Sequence, residues 1–167
     1  MLLNLPGTIL RTILRKTLSE ENMRELTHND LAIGWPNGWL DVSNVTLIGP
    51  ASGGFTPNIT INRQRLEKPV GAEEYAAEQQ LQLAKKLEAS GFRVLNHGPF
   101  RLGAIIAYQR TQVFMAPAAK VEVTQLQVHA VRNLEAVVIT ATDKASTFER
   151  NLPIFKASID QFKWSTP

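Results

Sequence analysis

Side chains that do most enzyme chemistry are few in this sequence, and they stand far apart. The three histidines are His28, His97 and His129, and none has a second histidine at the spacing that a metal-binding helix uses. Cysteine is absent, which excludes a thiolate nucleophile, a cysteine zinc site and a disulfide framework. The serine motif Gly-x-Ser-x-Gly of many hydrolases is also absent. The sequence therefore predicts a protein that is not an enzyme, with no catalytic residue, no metal and no cofactor.

The charge distribution argues against binding to nucleic acid. The formal net charge of +3 comes from Arg11, Arg15 and Lys16, since residues 1–18 contain no acid and the remainder carries equal numbers of bases and acids. A nucleic-acid interface needs a basic patch on the folded domain. We therefore expect no nucleic-acid partner.

The elements that would position any site alternate between strands and helices. A helix is predicted over Gly71–Ser90, with acids in its first turn, bases near its end and Gly91 as a left-handed stop. A second helix begins near Ser146, where the letters STFE form a predicted capping box, and Pro153 should kink it or start a fresh first turn. Strand patterns cover "LAIGW", "NVTLIGP", "FTPNITINRQRL", Phe92–Asn96, Ala104–Met115, Val121–Val131 and Ala136–Thr142.

This order predicts an α+β fold, with a single antiparallel sheet of about six strands and two main helices packed on one face. Two segments are expected, an N-terminal amphipathic appendage at residues 1–25 and an α+β domain at residues 26–167. The appendage either packs on its own domain or a neighbour, contacts a membrane surface, or reflects a start codon placed too early. Its sequence does not have the order of a secretory signal, and no transmembrane segment is expected.

Several stretches together resemble the DcrB-like domains of unknown function. They are "FTPNITINRQRL", "AEEYAAEQQLQLAKKL", "GFRVLNHGPFRLGAIIAYQRTQ", "VVITAT" and "FKASIDQFKW", within roughly residues 27–164. The resemblance implies a Mog1/PsbP-like fold, and the similar group includes periplasmic lipoproteins and the Eag chaperones of type VI secretion effectors. The chain departs from the lipoprotein branch because it has no cysteine to acylate, which favours a cytoplasmic location.

Side-chain alternation divides each predicted strand into two rows. One row is apolar and contains Leu126, Val128, Ala130, Val137, Ile139, Ala141, Ile59 and Ile61, which we expect beneath the helices. The opposite row carries no formal charge, although exposed sheets usually show lysine or glutamate. Its predicted partner-binding residues are Asn62, Gln64, Gln109, Thr111, Gln125, Gln127, His129 and Thr140. We define this set as the uncharged row; its alternative interpretation is an ordinary solvated sheet surface.

The predicted function is a non-enzymatic binding module. The resemblance implies an adaptor chaperone that shields an apolar segment of a secreted effector, with the uncharged row as its groove. The alternative is a PsbP-like accessory subunit that docks on a membrane protein complex. A protein partner is expected in either case, and the sequence leaves a homodimer open.

Overall fold

The computed structural model describes residues 23–28, 31–36, 43–51 and 53–164. The chain divides into two compact units, Met1–Asp41 and Val42–Pro167. In the first unit, β1 (Met23–His28) and β2 (Leu31–Pro36) pair as an antiparallel hairpin. Most of the predicted appendage, including its amphipathic helix, lies outside the described residues. Its division from the domain after residue 25 stays a prediction, and that position falls within β1.

The second unit contains six strands and two α-helices in an order close to that predicted. The strands are β3 (Val45–Ile48), β4 (Asn58–Arg65), β5 (Arg93–Leu102), β6 (Ile105–Ala116), β7 (Val121–Arg132) and β8 (Glu135–Lys144). Helix α1 spans Ala72–Lys86, a short 3-10 turn follows at Glu88–Ser90, and α2 spans Phe148–Asp160. Gly91 has the expected left-handed conformation, with φ of 64°.

All six strands belong to one antiparallel sheet, in the order β3-β4-β8-β7-β6-β5. This confirms the predicted α+β class with a single antiparallel sheet of six strands. Strand β5 is longer than predicted and continues through Gly98 and Pro99. Both residues are tolerated because β5 is an edge strand, where proline need not donate to a second neighbour.

The main hydrophobic core lies between one face of the sheet and α2. Strand residues of this core are Ile59, Leu102, Ala107, Leu126, Val128, Ala130, Val137, Ile139 and Ala141. Helix α2 contributes Phe148, Phe155 and Ile159, which are almost fully buried. The predicted apolar row is therefore confirmed as a helix-covered face, because its alternation places aliphatic side chains on one side of three neighbouring strands.

Helix α1 packs on the opposite face of the sheet. The Tyr75 ring meets the His129 ring edge-on at 6.0 Å between centroids, and the Arg110 guanidinium bonds to the Ala76 carbonyl oxygen. His129 follows Val128 in β7, so the two side chains point to opposite faces. The prediction that both helices share one face is therefore wrong. The physical reason is that β6 and β7 bury residues on both faces, so that each face needs a cover.

The start of α2 also differs from the predicted capping box. Its N-cap residue is Thr147, not Ser146, and no side chain caps the helix. The Thr147 hydroxyl instead donates to Asp143 Oδ2 at 2.9 Å. Helix α2 continues through Pro153, which lies on the exposed side.

Candidate functional site

The candidate site is an apolar pocket between α2 and the strand at one edge of the sheet. Its walls come from residues 47–51 in and after β3, residues 57–59 at the start of β4, and one face of α2. Its volume is about 430 Å³, within the range of small ligand pockets. All of the lining belongs to the unit Val42–Pro167.

Large apolar side chains around this pocket remain open to water. Leu47 is 51% exposed, Ile48 is 72% exposed and Ile154 is 66% exposed. In contrast, Ile59 and Phe155 form the buried floor that joins the pocket to the core. Exposed aliphatic side chains beside an apolar concavity are typical of interaction surfaces.

A close backbone approach holds the pocket's strand wall. The Gly49 amide donates to the Pro57 carbonyl oxygen at 2.8 Å, just beyond the end of β3. A Cβ atom at Gly49 would lie 3.1 Å from Pro57 Cγ, so the glycine permits this approach. The short strand β3 is thus held against β4 while its outer edge has no neighbour among the described strands.

Arg150 is the one charged residue that the described part of the chain contributes to the pocket lining. The other polar side chains of the lining are Asn58, Asn151 and Ser158. Asn151 Nδ2 already donates to Asp143 Oδ2 at 2.7 Å. The site can therefore bind an apolar group and offers one cation at its rim.

The uncharged row lies mostly beneath α1 and does not form an open face. His129 is 0% exposed and Thr140 is 7% exposed, while Gln125 and Gln127 are half-buried. Asn62 and Gln64 are exposed, and the Tyr75 hydroxyl donates to Gln64 Oε1 at 2.8 Å. The expectation of an open groove along the whole row is therefore wrong, while partner binding by the residues that remain exposed stays a prediction.

Gln109 and Thr111 lie on the face that α2 covers, not with the rest of the row. The register pairs Gln109 with Val128 and Thr111 with Leu126, and directly opposed residues share a face. Strand β6 instead contributes Arg110 to the row, opposite Gln127. The row is therefore charged at its centre.

Arg110 is 1% exposed, and its guanidinium donates only to neutral oxygen atoms among the described residues. Its Nε donates to Gln112 Oε1 at 2.8 Å, and its Nη2 donates to Gln127 Oε1 at 2.6 Å. Its Nη1 donates to the Ala76 carbonyl oxygen at 3.0 Å and to Gln80 Oε1 at 3.3 Å. Burial lowers the pKa of Arg110, yet arginine stays charged at neutral pH.

The glutamine amides extend this network across the sheet. Gln112 Nε2 donates to Gln125 Oε1 at 2.9 Å, and Gln125 Nε2 donates to Thr142 Oγ1 at 3.1 Å. Gln127 Nε2 donates to Thr140 Oγ1 at 3.4 Å. Buried polar side chains need such partners, so the row's amides stabilise the interior of the fold.

His129 lies in the same layer with its ring almost completely enclosed. Neither ring nitrogen has a partner at hydrogen-bonding geometry. Burial lowers the pKa of His129 to about 4, and the nearby Arg110 cation adds to this effect, against a smaller opposing contribution from the backbone of Tyr108. His129 is therefore neutral at physiological pH.

The other two histidines belong to different strands from His129. His28 belongs to β1, while His97 Nδ1 lies 2.7 Å from the Tyr108 hydroxyl on the surface. Within the described residues, no group of His, Cys, Asp or Glu side chains is arranged to hold a metal ion. None of the described helices is long and apolar enough to span a membrane.

Sequence reasoning missed both the apolar pocket and the role of Arg110. The alternation of β6 places polar residues in both of its rows, and therefore does not show which row faces α1. The sequence did contain a weak indication of the pocket. Leu47 and Ile48 are large apolar residues in a short predicted strand, and Ile154 is a large apolar residue in a helix with many polar residues.

Solved structures with a similar fold include three proteins. PA94 of Pseudomonas aeruginosa, a protein of unknown function, is 18% identical, with TM-score 0.73 over 87% of this chain and 99% of that one. LpqN of Mycobacterium tuberculosis, involved in cell envelope biogenesis, is 14% identical, with TM-score 0.52 over 85% and 77%. Cyanobacterial PsbP of Synechocystis is 10% identical, with TM-score 0.49 over 81% and 88%. Comparison with curated proteins finds no significant match.

Fold and site together define an α+β domain with a single antiparallel sheet and an apolar pocket at one edge of that sheet. The family model of DcrB matches residues 31–159. The chain therefore belongs to the DcrB family, and the predicted resemblance is confirmed.

Proposed function

We propose that this protein is a non-enzymatic binding module that holds an apolar segment of a protein partner in the pocket between α2 and β3. The observation that carries the proposal is the exposure of Leu47 and Ile154 around one apolar concavity. Covering these side chains removes apolar surface from water, which is the main favourable contribution to most protein association.

The edge of the sheet supplies a second means of holding such a segment. Among the described strands, β3 pairs only with β4, so its outer edge can take part in main-chain hydrogen bonds to an added strand. Leu47 of β3 shares the α2-covered face with Ile59, its register partner. An extended apolar segment along β3 would therefore place alternate side chains in the pocket.

The partner in this proposal is an effector of type VI secretion, and the role is that of an adaptor chaperone. Its support is membership of the DcrB family together with the resemblance to the Eag group. The pocket shields the effector's apolar segment from water before export. This role requires a cytoplasmic location, because the effector is in the cytoplasm before it is exported.

The first test measures binding of a fluorescent peptide of alanine, leucine and valine, with glycine and serine at its ends, by anisotropy. Leu47→Ser and Ile154→Ser should each weaken binding by about tenfold, because each removes apolar contact area from the pocket. Circular dichroism should show that both variants fold, since both side chains are exposed.

Matched controls come from exposed aliphatic residues outside the pocket. Ile106 is 73% exposed and Leu81 is 65% exposed, so both are at least about as exposed as Leu47 and Ile154. Ile106→Ser and Leu81→Ser should leave peptide binding unchanged. Equal losses in all four variants would contradict a site at the pocket.

The role as an effector chaperone has its own test. A co-expressed effector should lose solubility with Ile154→Ser and keep it with Leu81→Ser.

A further inference from the structure

Arg150 lies at the rim of an otherwise uncharged apolar pocket. It is exposed, and among the described residues that line the pocket it is the only charged one. The described residues contain no ion pair that involves Arg150; the two that they form are Arg63–Glu135 and Arg93–Glu122. This cation is therefore available to a partner.

Helix α2 itself gives Arg150 no electrostatic support. Arg150 is the third residue of the helix, and a cation in the first turn opposes the helix dipole. The residues three and four positions away are Ser146, Thr147, Pro153 and Ile154, so no carboxylate stands at the spacing of a helical ion pair. The position of the arginine is not explained by stabilisation of α2.

The nearby buried acid is already engaged by other donors. Asp143 is 3% exposed and accepts hydrogen bonds from the Thr147 hydroxyl, from Asn151 Nδ2 and from the Lys144 amide. This carboxylate therefore supports the start of α2 and is not the counter-ion of Arg150.

We propose that the pocket recognises an apolar protein segment that carries one acidic side chain, with the carboxylate paired to Arg150. The inference rests on the proposed function, since it assigns the chemistry of the segment bound there. A guanidinium forms short, charge-assisted hydrogen bonds with a carboxylate, often with two at once. The apolar wall excludes water from one side of the pair, which strengthens it relative to an exposed pair.

The test compares two labelled apolar peptides that differ only by one glutamate or glutamine near the end that meets α2. The full-length protein should bind the glutamate peptide about fivefold more tightly, an advantage that decreases with added salt. Arg150→Gln should abolish the difference, and Arg150→Glu should instead favour a matching lysine peptide. Arg101→Gln is the control, because Arg101 is exposed on β5 at the other edge of the sheet.

The outcomes separate this inference from the proposed function. Equal binding of both peptides, with weaker binding by Ile154→Ser, would overturn the role of Arg150 and leave the apolar site intact. A glutamate preference that survives in Arg150→Gln would overturn it as well. If no peptide binds, or if Ile154→Ser has no effect, the proposed function fails too. Sedimentation that shows a dimer competing with the peptide would assign the pocket to a second copy of the chain and overturn the inference.

Discussion

At the scale of single residues, His129 is a buried base that the surrounding structure keeps neutral. Its ring lies beneath Tyr75 and near the Arg110 cation, and neither nitrogen has a partner at hydrogen-bonding geometry. A protonated ring there would add a second positive charge without solvent. His129 is therefore a packing residue between the sheet and α1, and it lowers the stability of the fold only at acidic pH.

Acid should destabilise the fold through His129. In the unfolded chain His129 has a pKa of 6.5, whereas burial lowers the pKa of His129 in the folded chain to about 4. Between these values the unfolded state holds the extra proton, so the free energy of unfolding falls as pH is lowered, by up to about 3 kcal/mol. Urea unfolding at neutral and acidic pH measures this loss.

Two variants distinguish this residue from other groups that titrate in the same range. His129→Phe should lose less stability on acidification than the wild type, because it has no ring nitrogen to protonate. His97→Gln, a change on the surface, should keep the full loss. If the free energy of unfolding of His129→Phe falls with pH as it does in the wild type, other groups cause the loss of stability in acid.

At the scale of elements, α1 is attached to the sheet largely by polar contacts. Only Tyr75 and Ala76 of this helix are buried, and its remaining residues are partly or fully exposed. Arg110 bonds directly to the Ala76 carbonyl and to Gln80, and so connects β6 with the helix. The hydrogen-bond network thus attaches α1 to the sheet, whereas α2 is attached by its apolar face.

Removing the Arg110 guanidinium should therefore loosen α1. Arg110→Met leaves the oxygens of Gln112 and Gln127 without their donor, so we expect a loss of about 2–4 kcal/mol in unfolding free energy. Amide hydrogen exchange should rise in residues 72–86 more than in α2. Arg101→Met should change stability by less than about 0.5 kcal/mol, since this arginine is exposed. Equal exchange in both helices would argue against a local attachment.

At the scale of the molecule, the six-stranded sheet is covered on both faces, by α2 over an apolar core and by α1 over a polar layer. Among the residues that the structure describes, the core residues and the side chains packed against them lie from Ile59 to Trp164. At the end of this core, the Arg132 guanidinium lies 4.5 Å from the centre of the Trp164 ring. The hydrophobic core formed by the described residues therefore lies within the unit Val42–Pro167.

We expect this unit to fold without the residues that precede it. A chain of residues 42–167 should unfold cooperatively, with a melting temperature within about 5 °C of the full chain, because it keeps every core residue that the structure describes. Thermal unfolding followed by circular dichroism measures both properties. A broad transition, or lost near-ultraviolet signal, would mean that residues 1–41 contribute to the core.

The sequence by itself determined the elements and the composition of the apolar face. Alternation in β7 and β8 placed Leu126, Val128 and Ile139 in one row, and the helix pattern closed by Gly91 identified α1. These features are local, because each depends on the period of one element and on the residue that ends it. Family membership followed from the same stretches.

Only the tertiary structure decided what covers each face and where the pocket lies. Strand β6 carries Arg110 and Gln112 in one row and Gln109 and Thr111 in the other, so its alternation is compatible with either orientation. Pairing of Gln109 with Val128 selects one of them, and this turns Arg110 toward α1. Register and helix placement arise from contacts distant in sequence, which no single element encodes. For the same reason, the pocket appears only when α2 packs beside β3.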